Sequence, residues 1–185
     1  MIGKLHFRQL AFFTLLAAGL LFQNSVKAAG YNRLDRNAFA ALRNLYSTTP
    51  AARILRKQAV AILVFPRVVK AGFIVGAQTG KGVLIKRGRV VGHYNIAAAS
   101  YGLQAGLQAF GYAMFFMSPN ALAYLDKSGG FEVGTGPSLV LVDRGVAKSL
   151  TTTTLGKDVY AFIFSQKGLM GGIGLQGSKI TRVGP

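Results

Sequence analysis

The 185-residue chain contains no cysteine and no tryptophan, and only 2 histidines and 5 acidic residues. Without cysteine there is neither a disulfide nor a thiolate metal site. A metal site normally draws on several histidines, cysteines or carboxylates, so we expect no metal and no other cofactor. Candidate catalytic residues are also few. Beyond the first 28 residues the single histidine is His93, and no GxSxG nucleophile pattern occurs. We therefore do not expect an enzyme.

Two glycine-rich segments resemble nucleotide-binding loops but lack essential parts of them. The segment 76–81, GAQTGK, has three residues between its glycines instead of four, and Gly82 follows where a magnesium-binding hydroxyl is needed. The segment 172–177, GIGLQG, fits GxGxxG, but the chain ends too soon for the helix that must follow. We interpret these glycines as sites of close packing between strands.

The charge balance is one-sided. The chain has 22 Lys and Arg against 5 Asp and Glu, a formal net charge of +17. Such an imbalance says more about partners than about fold, and it favours polyanions: nucleic acid, an anionic lipid surface or lipopolysaccharide.

The N-terminus has the three parts of a signal peptide. Lys4 and Arg8 precede the 13-residue apolar run Leu10–Phe22, which is short for a membrane span. Val26-Lys27-Ala28 then provides a cleavage site, so we expect a signal peptide over 1–28 and one domain over 29–185. Loss of Lys4, Arg8 and Lys27 leaves 19 basic and 5 acidic residues, a charge of +14. Export to the periplasm or cell envelope disfavours nucleic acid as the partner.

Two basic amphipathic helices are predicted next. In Tyr31–Tyr46 the apolar residues recur at helical spacing, and Pro50 with Thr49 as N-cap begins a second helix that ends near Gln58. Together the two helices carry six basic residues and one acidic residue, Asp35. Basic amphipathic helices of this kind are typical of proteins that bind membrane surfaces.

Beyond residue 60 the pattern changes to short apolar runs separated by glycine-rich turns, which predicts strands. The Lys86–Arg89 turn predicts a hairpin, Ser118 and Pro119 begin a short helix over Ala121–Asp126, and two strands are expected within Ala97–Met117. The other predicted strands are Val60–Phe65, Ala71–Gln78, Val83–Ile85, Val90–Tyr94, Phe131–Val133, Ser138–Val142, Ser149–Thr154, Val159–Ser165 and Ile173–Ile180.

The predicted fold is a single α+β domain. A strongly twisted, barrel-like antiparallel sheet is flanked by the two N-terminal helices and the short helix. The predicted core consists of Leu42, Leu45, Leu55, Ile62, Val64, Phe73, Val75, Leu84, Phe110, Phe115, Leu122, Leu125, Phe162, Phe164 and Leu175.

Four segments carry a resemblance to a known family. They are 61–84 (AILVFPRVVKAGFIVGAQTGKGVL), 102–111 (GLQAGLQAFG), 131–136 (FEVGTG) and 161–180 (AFIFSQKGLMGGIGLQGSKI). Together and in this order they resemble the SYLF domain family, lipid-binding modules of bacteria and eukaryotes. The resemblance implies membrane binding by basic residues in the N-terminal part of the domain, with phosphoinositides as the eukaryotic ligands. The matching residues here are Arg33, Arg36, Arg43, Arg53, Arg56, Lys57, Arg67 and Lys70.

The resulting hypothesis is an exported, non-enzymatic module that binds phospholipid headgroups or lipid A. Two alternatives stay open at this point. One is a scaffolding protein that binds another envelope protein through the same basic surface. The other is a small outer-membrane barrel, which is opposed by Val60–Phe65, because that run is apolar on both faces whereas barrel strands alternate.

Overall fold

A computed structural model describes residues 30–127, 131–132, 137–142, 156–169 and 178–184. Residues 34–185 form one compact unit, and of the preceding unit, Met1–Arg33, residues 30–33 are described and are helical. The predicted signal peptide and the predicted strand Ser149–Thr154 lie outside the described residues. The predicted fold class is confirmed: in the described ranges three helices flank a curled sheet of six strands.

The first helix, α1, covers residues 30–48 and confirms the predicted amphipathic helix. Three side chains at helical spacing are at most 4 % exposed and form the stripe that packs on the sheet: Ala38, Leu42 and Leu45. At the end of α1 the hydroxyls of Ser47 and Thr48 donate to the carbonyl oxygen of Asn44, at 2.8 and 2.9 Å. Such bonds from Ser and Thr hydroxyls to a carbonyl three or four residues earlier are a common local arrangement in helices.

The second helix, α2, runs from Pro50 to Gln58 and buries Ala51, Ala52 and Leu55. Pro50 occupies the first turn, where its missing N–H costs nothing. The predicted N-cap, Thr49, is confirmed in its position, although its side chain makes no capping hydrogen bond.

Two long strands make up most of the sheet. β1 (Ala61–Lys86) and β2 (Arg89–Phe116) pair antiparallel from one end to the other, Ala61 opposite Phe116 and Lys86 opposite Arg89. Arg87 and Gly88 connect them with φ values of 50° and 76°, as expected of a two-residue hairpin whose turn matches the strand twist. The predicted hairpin at Lys86–Arg89 is therefore confirmed.

The prediction of several short strands within 60–117 is wrong. Instead, β1 and β2 are continuous and bend at irregularities in their pairing, between Phe65 and Val68, Phe73 and Val75, and Leu84 and Ile85. A β-bulge changes the direction of a strand without ending it. Glycines and polar residues that resemble turns in the sequence therefore lie within strands.

The remaining strands pair around β2. β5 (Val159–Leu169) pairs with its C-terminal half and β6 (Lys179–Gly184) with its N-terminal half, both antiparallel. β3 (Phe131–Glu132) lies beside β6, and β4 (Leu139–Leu141) lies beside β5.

The β4–β5 pair is parallel, which corrects the prediction of a wholly antiparallel sheet. A carboxylate fixes the two strands at the same end: Asp158, just before β5, accepts from the N–H and the hydroxyl of Ser138, at 3.0 and 2.8 Å. These hydrogen bonds lower the pKa of Asp158. Because both strands start from this contact, they run in the same direction.

The sheet has a hydrophobic cluster on each face. On the face that packs against α1 and α2, here called the α1–α2 face, the buried strand residues include Ile62, Val64, Val83, Ile85 and Phe115. The opposite face packs against α3 (Pro119–Leu125) and includes Leu63, Phe65, Leu84, Tyr94 and Met114. The hydroxyl of Ser118 accepts from the N–H of Ala121 at 3.2 Å, which confirms the predicted start of this helix.

The β1–β2 ribbon bends so far that β1 approaches itself. A β-carbon placed on Gly82 would lie 2.7 Å from the carbonyl oxygen of Val64 and 2.5 Å from the ring of Phe65. Residues 17 or 18 positions apart in one strand can meet only if that strand folds back between them. The bend brings the two ends of β1 to the same end of the sheet.

Most of the predicted core is buried, but two of its members are exposed. Phe73 is 75 % exposed and Val75 is 61 % exposed, so the prediction that both lie in the core is wrong. Leu122 and Phe164 are partly buried, and Leu175 lies outside the described residues. Within the part of the chain that is described, no helix is long and apolar enough to cross a membrane.

Candidate functional site

Seven of the eight basic residues predicted from the sequence are exposed. α1 carries three of them, α2 carries three and β1 carries one, in the order Arg33, Arg36, Arg43, Arg53, Arg56, Lys57 and Arg67. The eighth, Lys70, is only 5 % exposed. In the sequence Lys70 lies between the predicted strands Val60–Phe65 and Ala71–Gln78. Since β1 continues there, Lys70 instead lies opposite Gln108 on the α3 face, and the structure does not bring it into the exposed basic set.

The acidic residue of the two helices does not neutralise their exposed bases. Asp35 faces the sheet, where its Oδ1 lies 2.9 Å from Nε2 of His93, a side chain 7 % exposed. His93 is thus a strand residue that holds α1. In the described ranges no ion pair joins an acid to any exposed base of the compact unit's helices: Arg36, Arg43, Arg53, Arg56 or Lys57. The outer surface of α1 and α2 therefore carries a locally uncompensated positive charge.

Two of these arginines also connect α2 to the end of α1. Arg53 donates from Nη1 to the carbonyl oxygen of Tyr46 at 2.9 Å, and the guanidinium of Arg56 lies 4.9 Å from the centre of the Tyr46 ring. Burial raises the pKa of Tyr46, and the charge of Arg56 opposes that rise. Arg53 and Arg56 consequently have a structural role beside any role in binding.

A groove forms where α1, α2 and the β1–β2 hairpin meet. Its volume is about 260 Å³, and one arginine comes from each element: Arg43 from α1, Arg56 from α2 and Arg87 from the hairpin turn. Its floor is apolar and includes Phe39, Leu42, Tyr46, Ile62 and Ile85. We call this the arginine groove. Three guanidinium groups around an apolar floor suit a ligand with an anionic head and an apolar body.

Arg87 is a site residue that is not among the residues predicted from the sequence, where the charged Lys86–Arg89 segment predicts only a turn. The turn lies beside the helices because β1 folds back, so that its last residues return to its first. Lys86 and Arg89 are exposed next to Arg87 and extend the positive surface beyond the groove. The cluster of three bases in four residues was the available signal.

The described residues contain no group of three or more His, Cys, Asp or Glu close enough to hold a metal ion. What the exposed residues can do is bind anions. Guanidinium groups form paired hydrogen bonds with phosphate and carboxylate oxygens, and they do so without a change of protonation.

Part of the chain matches a known protein family. Residues 97–183 match the model of the family described as "Ysc84: Las17-binding protein actin regulator", the SYLF family. The match covers the C-terminal part of β2 and everything that follows it up to Val183 in β6. No curated protein matches the chain. The resemblance inferred from the four segments is thereby confirmed over residues 97–183.

Proposed function

We propose that this chain, which belongs to the SYLF family by its residues 97–183, is a peripheral binding module for anionic lipid surfaces. The arginine groove carries the proposal. A phospholipid or lipid A presents phosphate oxygens next to hydrocarbon, and the groove presents Arg43, Arg56 and Arg87 around an apolar floor.

The charge of the surrounding helices supports this proposal. Each Lys or Arg close to an anionic leaflet contributes about 1 kcal/mol, and the contribution disappears beyond about one Debye length. Arg36, Arg53 and Lys57 are exposed beside the groove-lining arginines, and Lys86 and Arg89 extend the same charge at the hairpin. Several such contacts give measurable binding that weakens with salt.

The signal-peptide pattern at residues 1–28 makes the proposed setting the cell envelope. N-terminal sequencing of exported protein should then begin at Ala29. A first residue of Met1 would contradict export and would return nucleic acid to the candidate partners.

Co-sedimentation with lipid vesicles tests the proposal. The wild-type protein is expected to pellet with phosphatidylglycerol or cardiolipin vesicles at low salt and to stay in the supernatant with phosphatidylcholine vesicles. The reason is that only the anionic headgroups attract the arginine groove and its surroundings. Equal binding to all vesicles, or none to any, would reject the proposal.

A second candidate function is the binding of another protein. The matched family is described by binding to the protein Las17, so a protein ligand is the direct reading of that description. A basic surface serves both functions, and the vesicle experiment separates them because a protein-binding module need not distinguish the two headgroups.

A further inference from the structure

One bend of β1 lies between Gly72 and Gly76, where its pairing with β2 is irregular. A β-carbon on Gly72 would lie 2.4 Å from the Cα of Gly76, so no larger residue fits at position 72. Between the two glycines, Ile74 has a φ of 65°. This left-handed conformation is rare for a β-branched residue and stores strain. The bend therefore requires glycine at position 72, and the strain at Ile74 lowers the stability of the fold.

The same bend exposes apolar side chains. Phe73 is 75 % exposed, Ile74 44 % and Val75 61 %, and Leu107 on the neighbouring strand is 62 % exposed. We call these four residues the apolar apex. A soluble domain gains nothing for its own stability from a strained turn that exposes a phenyl ring to water. Such conflicts between local structure and folding are expected at functional sites.

The register places two members of the apolar apex, Phe73 and Leu107, on the α1–α2 face of the sheet. Leu107 lies opposite Ala71 in the pairing, and successive residues of a strand point to alternate faces. Counted along β2 from Phe115, which packs against the helices, Leu107 points to the same side, and so does Phe73, two residues after Ala71. Phe73 and Leu107 thus lie on the same face of the sheet as the basic helices, which pack over the strand ends and leave these two side chains uncovered.

Lysines flank the apolar apex, and acids are absent from the strands that form it. Lys167 lies opposite Ala109 and Lys179 opposite Ala97, and both are exposed. The paired segments 69–81 and 95–109 contain no Asp or Glu. Exposed aromatic and aliphatic groups surrounded by lysines match the boundary of an anionic bilayer, where acyl chains lie directly beneath phosphates.

We propose that the apolar apex inserts into the outer hydrocarbon layer of an anionic membrane while the arginine groove and basic helices bind its headgroups. This inference rests on the proposed function and adds a second, apolar component of binding. Charge attraction is screened by salt, whereas burial of apolar surface is not. The wild-type protein should therefore keep part of its vesicle binding at about 1 M salt, where the Debye length is about 3 Å.

A single tryptophan tests insertion directly, because the chain contains none. In Phe73→Trp the indole emission is expected to shift to shorter wavelength with phosphatidylglycerol vesicles and to be quenched by lipids that carry a nitroxide on the acyl chain. Leu141→Trp is the matched control: Leu141 is an exposed apolar side chain, 42 % exposed, on β4. Its emission should not change. An unshifted, unquenched Phe73→Trp in protein that has bound the vesicles would overturn the insertion.

A second pair of variants measures the salt-resistant component. Phe73→Ser with Val75→Ser is expected to weaken binding at high salt by at least about tenfold, which corresponds to about 1.4 kcal/mol. The control Leu141→Ser with Val183→Ser removes two exposed apolar side chains from β4 and β6 and should leave binding unchanged. If the wild-type protein fails to bind anionic vesicles even at low salt, the proposed function is wrong. If it binds at low salt and the apex variant equals wild type at every salt concentration, only the insertion is wrong.

Discussion

Replacing Arg43 and Arg87 together with Gln is expected to weaken binding to phosphatidylglycerol vesicles about thirtyfold at low salt. Two bases near an anionic leaflet contribute about 2 kcal/mol in total, which corresponds to that factor. These two residues line the arginine groove from different elements. They are preferred to Arg53 and Arg56, whose contacts with Tyr46 join α2 to α1 and whose loss would also disturb the fold.

The control for this experiment removes the same charge elsewhere. Lys127 and Arg182 lie by α3, where Lys127 stacks on the Tyr124 ring and Arg182 reaches the carboxylate of Asp126. Lys127→Gln with Arg182→Gln should bind vesicles nearly as well as wild type, since α3 packs on the opposite face of the sheet. Equal weakening by both double variants would mean that net charge, and not the groove, determines binding. Thermal melts establish that each variant is folded.

Substitution of Gly82 by Ala is expected to destabilise the protein by about 1–3 kcal/mol, the usual cost of adding a methyl group to a packed core. The new β-carbon would lie 2.5 Å from the Phe65 ring and 2.7 Å from the Val64 carbonyl oxygen, and neither Phe65 nor Val64 is exposed at all. At roughly 2–4 °C per kcal/mol the loss is visible in a thermal melt.

Gly156→Ala is the matched control for this substitution, because a β-carbon at position 156 would meet nothing within 4 Å. Its melting temperature should stay close to that of wild type. In Gly82→Ala, a shorter side chain at position 65 should restore part of the loss. An unchanged melting temperature for Gly82→Ala would contradict the fold-back of β1, on which the position of Arg87 in the groove depends.

The sequence predicts those helices and turns that are determined by residues close together in the chain. Helical spacing of Leu42 and Leu45 identifies α1, and the Lys86–Arg89 turn identifies the hairpin, because in both cases the determining residues are neighbours. Continuous strands could not be predicted in the same way. A β-bulge has no fixed sequence signature, so the sequence predicts breaks at residues 66–70 and 79–82, where β1 in fact continues.

The predictions that fail at the candidate site concern residues whose surroundings depend on parts of the chain that are distant in sequence. Phe73 and Val75 belong to a short apolar run, as core residues often do, yet the bend between Gly72 and Gly76 leaves both exposed. Arg87 joins Arg43 only through the return of β1 to its own start. A short stretch of sequence shows neither how far the covering helices extend over a sheet nor where a bent strand returns to its own start.

Single-cysteine labelling tests most directly whether the α1–α2 face is the lipid-contact side, since the chain has no cysteine of its own. An environment-sensitive fluorophore is attached at Lys57→Cys on α2, Leu107→Cys at the apolar apex, or Lys127→Cys beside α3. With phosphatidylglycerol vesicles we expect the emission to change at positions 57 and 107 and to stay constant at 127. A change confined to position 127, or the same change at all three, would contradict a lipid-binding α1–α2 face.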